Sequence, residues 1–319
     1  MQYDSTMLEA ALISFPKTLR TELEQVAVRG GKVHPDLVQQ FCKVLNIDVD
    51  ALMLRLVPLA AAYGVAPVSH FSVGAVARGQ RLDSNGYAAL YLGANMEFPG
   101  RALCFSLHAE QAAVANAWNN REPGITSLAV SAAPCGHCRQ FLHELSESSP
   151  LRIVFPDGTR HGYRQTDITE LLPGAFGPGD LGHEGNMMAV NFAADPPQLE
   201  LEQSTNDDAL VLEALKAARF SYAPYTRNHA GCAVQLQNGR IFSGSYAENA
   251  AHNPGLSPLH AALSNMRMAQ GPASGPEDPQ KIVRCVLVEK AADISQRELV
   301  TTLISSFAPQ IALEYYAVQ

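Results

Sequence analysis

The sequence predicts an α/β fold: a three-layer α/β/α core that occurs twice, degenerate the second time, behind a small helical domain. Three observations lead there. From His70 onward, short apolar runs with strand character alternate with helical runs, which is the mark of layered α/β structure. Features of that stretch return in the same order later in the chain. Before His70 the spacing and the stop signals are helical.

In the N-terminal part, Pro16 follows Ser14 and Phe15 at the head of the helical run TLRTELEQVAV, and Gly30-Gly31 ends it. Pro35 and Asp36 open DLVQQFCKVL. Asp48 is the expected N-cap of VDALMLRLVPLAAAYG, which Pro58 should kink or restart. HFSVGAVARG then alternates as a strand and YAALYLGA reads as a second strand. SLHAEQAAVANAW is a helix, TSLAVSAA a strand, GHCRQFLHEL a helix and LRIVF a strand. The segment LLPGAFGPGDLG is rich in turn formers, and AADPPQLELEQSTND reads as a linker. The expected domains are a helical unit over 1–50, a first core over 51–190, a linker over 191–207 and a second core over 208–319.

The repeat rests on paired features. Ala66-Pro67 with Gly74 matches Ala223-Pro224 with Gly231. Gly93-Ala94-Asn95-Met96-Glu97 matches Gly244-Ser245-Tyr246-Ala247-Glu248. His108-Ala109-Glu110 is aligned with His260-Ala261-Ala262, and SLAVSAA with RCVLVEK. On this alignment Glu110 becomes Ala262, and Cys135 and Cys138 fall near Asp293 and Gln296. The second copy therefore keeps the frame and loses the reactive groups.

Composition narrows the function. The chain has 319 residues, 47% of them apolar and 17% charged, enough for two globular domains with little long disorder. A net charge of -8 argues against long nucleic-acid strands as partners. The most apolar stretch, from Ala51 to Val68, is broken by Arg55, Pro58, Gly64 and Pro67, so no membrane span is expected. The N-terminus lacks a basic signal-peptide region, so the expected location is cytoplasmic, with the six cysteines reduced.

The strongest chemical signal is Pro134-Cys135-Gly136-His137-Cys138 at the head of a helix, whose N-terminus favours thiolate. Three uses compete. A structural zinc site needs four protein ligands, and no second pair of cysteines is present. A thiol–disulfide exchange centre fits CGHC, but Pro134 stands where such centres carry an aromatic residue. A catalytic zinc site would use His108, Cys135 and Cys138, leave a position open for water, and have Glu110 beside the metal. For His108 and Glu110 to share one pocket, their helix must begin there, since residues two apart diverge further along a helix.

The run HAE…PCGHCRQ resembles the zinc-dependent nucleoside deaminases, for which H-x-E…P-C-x-x-C is a signature. APVSHFSVGA, GANMEF, CRQF, AFGP and SGSYAENAA extend the resemblance to the long-chain, two-core bacterial cytidine deaminases over nearly the whole chain. The resemblance implies one zinc per chain on His108, Cys135 and Cys138, a zinc-bound hydroxide attacking C4 of cytidine or 2′-deoxycytidine, and Glu110 as proton shuttle. It implies that Phe71 packs on the pyrimidine, that Asn95, Met96 and Glu97 contact the substrate, with Asn95 and Glu97 on the ribose hydroxyls, that Ala109 offers backbone to the base, and that Phe176 closes the pocket. Arg139 would support a thiolate from behind. His70, His137, His143, His161 and His183 are expected to be ordinary polar residues, and His260 structural. A homodimer is implied, with free nucleosides as substrates in pyrimidine salvage, and with SGSYAENAA packing beside an active pocket. Two departures from the family stand out: RGQRLDSNG makes a longer loop that should alter one edge of the site, and Ala133 replaces a hydroxyl residue before Pro134.

Overall fold

The computed structural model describes residues 5–145, 150–158, 162–184, 187–188, 197–203, 207–269 and 282–319. Four helices open the chain: α1 (Ser5–Ile13), α2 (Lys17–Val28), α3 (Pro35–Leu45) and α4 (Val49–Ala61). Local chemistry sets their ends. Pro35 begins α3, where a missing N–H costs no helical hydrogen bond, and Asn46 closes it in the left-handed region with φ 52°. Asp48 caps α4 by accepting from the Ala51 N–H at 2.8 Å. Of the kink or restart expected at Pro58, the restart does not occur: α4 runs through Pro58 as one helix. Pro58 lies in its last turn, so only Leu59, Ala60 and Ala61 follow it in the helix. Asp50, in the first turn of α4, meets Arg152 at 2.9 Å and Gln165 at 2.7 Å.

The first core is a six-stranded sheet in the order β1–β3–β2–β4–β5–β6. Its strands are β1 (Lys32–Val33), β2 (Gly74–Leu82), β3 (Ala88–Ala94), β4 (Ile125–Val130), β5 (Arg152–Pro156) and β6 (Tyr163–Asp167). Helix α5 (Ala109–Asn119) joins β3 to β4, α6 (Gly136–His143) joins β4 to β5, and α7 (Ile168–Leu171) follows β6. The second core begins with α8 (Ala209–Arg219). It continues with β7 (Ala230–Leu236), β8 (Ile241–Ser245), α9 (Pro258–Met268), β9 (Ile282–Lys290), α10 (Arg297–Phe307) and β10 (Leu313–Val318). Its sheet order is β10–β9–β7–β8.

The order β3–β2–β4–β5 in the first core equals β8–β7–β9–β10 in the second. Each has two antiparallel ladders followed by one parallel ladder. The duplication read from the sequence is thus present as repeated topology.

Two markers fix the register of the copies. A Cβ on Gly93 would lie 2.1 Å from the Ala113 nitrogen, and one on Gly244 would lie 2.3 Å from the Ala262 nitrogen, so helix and strand touch backbone to backbone at both places. Leu107 bridges Met96 just before α5, as Leu256 bridges Ala247 just before α9. The N-cap of α5 is His108 and that of α9 is Ser257. Hence Glu110 corresponds to Leu259 rather than Ala262, and His260 corresponds to Gln111 rather than His108. The connection before α9 is shorter than the one before α5, which shifts the apparent sequence match. In the same way Gln296, the N-cap of α10, takes the place of Cys135, the N-cap of α6, so Asp293 does not.

The second core fills its own equivalent of the pocket. Asn228 stands where Phe71 stands in the first, its N–H donating to the Thr226 hydroxyl at 3.1 Å as the Phe71 N–H donates to Ser69 at 3.1 Å. The Asn228 amide oxygen accepts from Gln296 at 3.3 Å, and Gln296 also meets the Tyr246 hydroxyl.

Helices α5 and α9 lie against each other between the two sheets. Every residue of α5 from Ala109 to Trp118 is buried, which its alanine-rich sequence permits. Arg267 of α9 donates to the Tyr63 carbonyl at 2.9 Å, and Trp118 meets Phe220 at 5.5 Å between ring centroids. Across the same junction, SGSYAENAA packs on α6 of its own chain. Asn249 donates to the Gln140 carbonyl at 3.1 Å, and the Ala250 N–H donates to Glu144 at 3.0 Å. Of the expected linker, Leu201 bridges Val318; most of the rest, and His161, lie outside the described residues.

The turn in RGQRLDSNG is closed by the Asp83 carboxylate, which accepts from the Asn85 and Tyr87 N–H groups at 2.9 and 2.8 Å. It joins the end of β2 to the start of β3. The pocket lies at the opposite ends of these strands, beside Val73 and Asn95. At about 3.3 Å per residue the turn is some 25 Å away, so the expected change at the edge of the site does not arise from it.

Candidate active site

Two helix starts converge at one point. His108 keeps an extended backbone as N-cap of α5 (φ -88°, ψ 152°), so it diverges from the helix proper and shares a pocket with Glu110 one turn-start later. Its N–H is satisfied by the Gln111 side chain at 3.2 Å. Cys135 is the N-cap of α6 and Cys138 lies in the first turn, which brings both sulfurs to the same side.

The three donor atoms form a small triangle. His108 Nδ1 lies 3.6 Å from Cys135 Sγ and 3.3 Å from Cys138 Sγ, and the sulfurs are 3.6 Å apart. A tetrahedral zinc with ordinary Zn–S and Zn–N bonds sets its ligands about 3.5–3.8 Å apart, so one imidazole and two thiols at these spacings fit that ion. Among the described residues this is the one group of three or more histidine, cysteine or acidic side chains placed to hold a metal. The corresponding positions of the second core are Ser257, Gln296 and Leu299, which do not form such a set.

Electrostatics single out Cys135. A hydrogen bond from Cys138, the backbone N–H groups of Cys138 and His137, and the charge of His108 together bring its thiol down to about 4 against the cost of burial. The Cys138 thiol is pushed up, first by its bond to Cys135 and then by burial. Glu110 is 4% exposed, and burial raises its carboxyl above the usual range. The His137 ring stacks on His108 at 5.1 Å. Sequence pattern does not encode that contact, because the two residues meet only when the two helix starts do.

A cavity of about 410 Å³ opens above this group. Its lining includes Phe71, Asn95, Glu97, Ala109, Glu110 and Cys135, with Ser69, Leu103, Ser106 and Ala133. Asn95 and Glu97 are both engaged with backbone. Asn95 accepts from the Val73 N–H and donates to the Phe71 carbonyl, each at 2.9 Å. Glu97 accepts from the Val68 and Ser69 N–H groups at 2.9 and 3.0 Å and from the Ser69 hydroxyl. Burial opposes the charge on Glu97, but those hydrogen bonds outweigh it and hold the carboxyl below its usual range. Phe71 and Leu103 are 60% and 71% exposed at the mouth.

Three expected residues sit elsewhere. The Met96 side chain is buried in the core, behind the wall that Asn95 and Glu97 form. Phe176 is exposed, and its carbonyl accepts from Gln140 at 2.7 Å; it is not part of the cavity lining. Arg139 donates to the carbonyls of Pro134 at 2.8 Å and Leu171 at 2.9 Å, so it braces the loop that carries Cys135 instead of a sulfur. The carbonyls lie within reach of a guanidinium that leaves the helix away from the pocket.

Known proteins resemble the chain over most of its length. Two family models, both described as the cytidine and deoxycytidylate deaminase zinc-binding region, match residues 48–152 and 168–301. The cytidine deaminase of Aeromonas hydrophila subsp. hydrophila is 42% identical over 286 residues, covering 89% of each chain. That of Aliivibrio fischeri is 38% identical over 312 residues, covering 97% of each. Among solved structures, the cytidine deaminase from Mycobacterium tuberculosis shares 31% identity over 41% of this chain and 99% of its own, with a TM-score of 0.33.

Proposed function

Because the chain belongs to the cytidine and deoxycytidylate deaminase zinc-binding family, as a zinc-dependent cytidine deaminase of the long two-core form, we propose that its first core alone performs the reaction, with Glu110 as proton shuttle and His108, Cys135 and Cys138 as the metal ligands. The observation that carries this is the position of Glu110: a buried carboxylate at the floor of the cavity, beside the only triangle of donors that suits zinc among the described residues. Zinc bound there supplies the positive charge that makes a water nucleophilic near neutral pH.

The chain's own groups do the remaining work. Glu110 takes the proton of the attacking water and hands it to N3 of the pyrimidine. It then serves the departing ammonia as C4 changes from amine to carbonyl. Its raised affinity for a proton suits a group that must both accept and donate. Ala109 and the Ala133 carbonyl border the base, and Phe71 gives it an apolar face. Asn95 and Glu97 stand where ribose hydroxyls would meet them, each with capacity left beyond its backbone bonds.

Cytidine and 2′-deoxycytidine are the substrates of this reading, with uridine, 2′-deoxyuridine and ammonia as products in pyrimidine salvage. The net charge of -8 and the Glu97 carboxylate in the cavity favour free nucleosides over phosphodiester strands. Phe71 and Leu103, exposed at the mouth, give a second copy apolar surface to cover, in keeping with a homodimer. Among the described residues no helix is long and apolar enough to cross a membrane; a cytoplasmic location belongs to the same proposal. The deciding experiment measures ammonia release from cytidine, CMP and a short oligonucleotide by the wild-type chain and by Glu110→Gln, with zinc content alongside. Turnover by the variant comparable to wild type would overturn the assignment of Glu110.

A further inference from the structure

Among the hydrogen bonds between the two cores, one in each direction forms a symmetric pair. Gln111, in the first turn of α5, donates through Nε2 to the Pro254 carbonyl of the second core at 3.1 Å. His260 occupies the equivalent place in α9, and its Nε2 lies 2.7 Å from the Phe105 carbonyl of the first core. Phe105 and Pro254 are themselves equivalent, each two residues before the leucine that bridges the preceding segment. A carbonyl can only accept, so the His260 Nε2 carries the proton.

What each bond holds differs between the cores. Pro254 belongs to the loop that leads into α9, whose N-cap is Ser257 where the first core has His108. Phe105 belongs to the turn that walls the nucleoside cavity. There the Phe105 N–H bonds Ala102 and the Ser106 N–H bonds Leu103, both at 3.0 Å, and Leu103, Ser106 and Leu107 face the cavity. The His260 ring also lies 5.5 Å from Phe98, next to Glu97. One side chain from the second core therefore touches two segments of the cavity wall from behind, and it is buried with no access to substrate.

We propose that His260 is a positioning residue for the deaminase pocket: its Nε2–H holds the Phe105 carbonyl, and through it the Leu103–Leu107 turn, in the geometry that binds the nucleoside. This rests on the reading of the cavity given above. The second core, on this account, contributes to substrate affinity although it holds none of the reacting groups. The bond fixes a wall and leaves the metal ligands and Glu110 untouched, so its loss raises KM and spares kcat.

The test uses His260→Leu and His260→Gln in the full chain, read by hydrogen exchange of the 102–107 segment and by steady-state kinetics on cytidine. Glutamine at this helical position keeps an amide donor, as Gln111 shows at the equivalent place. With leucine, exchange of 102–107 accelerates and KM rises by about tenfold, while kcat stays within about threefold and zinc is retained. With glutamine, both readouts return to within about threefold of wild type. Unchanged exchange with leucine, glutamine as disturbed as leucine, or loss of kcat and zinc with an unmoved KM would each overturn the proposal. If the leucine variant does not fold, His260→Met, apolar and without a donor, takes its place. Exchange reads the Phe105 contact whether or not cytidine is turned over. A wild-type chain inactive on cytidine would count against the site reading, and the exchange result would still decide what His260 holds.

Discussion

Glu97 and Glu248 make the same set of hydrogen bonds in the two cores. Glu97 accepts from the N–H groups of Val68 and Ser69 and from the Ser69 hydroxyl. Glu248 accepts from the N–H groups of Tyr225 and Thr226 and from the Thr226 hydroxyl. In the second core Asn228 and Gln296 occupy the equivalent of the first core's cavity, which leaves Glu248 this structural task. Glu97 does that task and faces the cavity as well.

The pair makes a controlled experiment. Glu97→Gln and Glu248→Gln each remove a charged acceptor from two N–H groups and a hydroxyl, so each should lower stability by about 1–3 kcal/mol. Only Glu97→Gln should raise KM for cytidine, by about tenfold or more. Thermal unfolding and kinetics on both variants check this. A KM change in Glu248→Gln equal to that in Glu97→Gln would show that the effect comes from loop geometry alone.

Glu110→Gln should keep zinc and lose activity. General acid–base catalysis contributes roughly 10²–10⁴-fold, and here one carboxylate serves more than one transfer, so kcat should fall by at least about 10². Metal analysis should still find one zinc per chain. More than about a tenth of wild-type kcat would contradict the shuttle.

Zinc should leave with the first core's thiols. Cys135→Ser with Cys138→Ser removes two of three ligands, whereas the corresponding Gln296 and Leu299 offer no replacement. The double variant should contain well under a tenth of the wild-type zinc by metal analysis. Full occupancy would place the metal elsewhere.

Acid should destabilise the chain through His260. Burial lowers its imidazole to about 4, against an unfolded value near 6.5. Between these values the unfolded chain binds more protons than the folded one, so stability falls as pH drops from about 6.5 to about 4. At about 1.36 kcal/mol per pKa unit the difference corresponds to about 3 kcal/mol at the acid end. Denaturant unfolding at several pH values should show this slope, and His260→Gln should flatten it. An unchanged slope in the variant would assign the acid sensitivity to other groups.

Glu144 should be the most sensitive residue in the junction between the cores. It is fully buried at the end of α6, accepts from Tyr222 at 2.9 Å, from Ala250 at 3.0 Å and from Tyr225. Glu144→Leu strands three donors, two of them fully buried, and should cost about 3 kcal/mol or more. Equilibrium unfolding measures it; a loss below about 1 kcal/mol would show that the junction relaxes around the gap.

The alternation of strands and helices from β2 to β5, the cap at Asp48, the repeated core and the grouping of His108, Cys135 and Cys138 were legible along the chain, whereas β1, β6 and α7 were not. Each depends on short-range properties: alternation, turn formers, helix-start residues and the chemistry of side chains a few positions apart. Tertiary structure decided the rest. Whether His260 pairs with His108 or with Gln111 depends on where α9 starts, and that is fixed by Leu256 bridging Ala247 and by Gly244 pressing on Ala262. Arg139 and Phe176 take partners across the fold, at Leu171 and Gln140, which local pattern does not encode. The stacking of His137 on His108 and the plugging of the second core by Asn228 and Gln296 likewise join residues far apart in sequence. A sequence shows which side chains can do chemistry; which of them meet is set by the closing of loops and the packing of α5 against α9, where backbone contacts leave one register that fits.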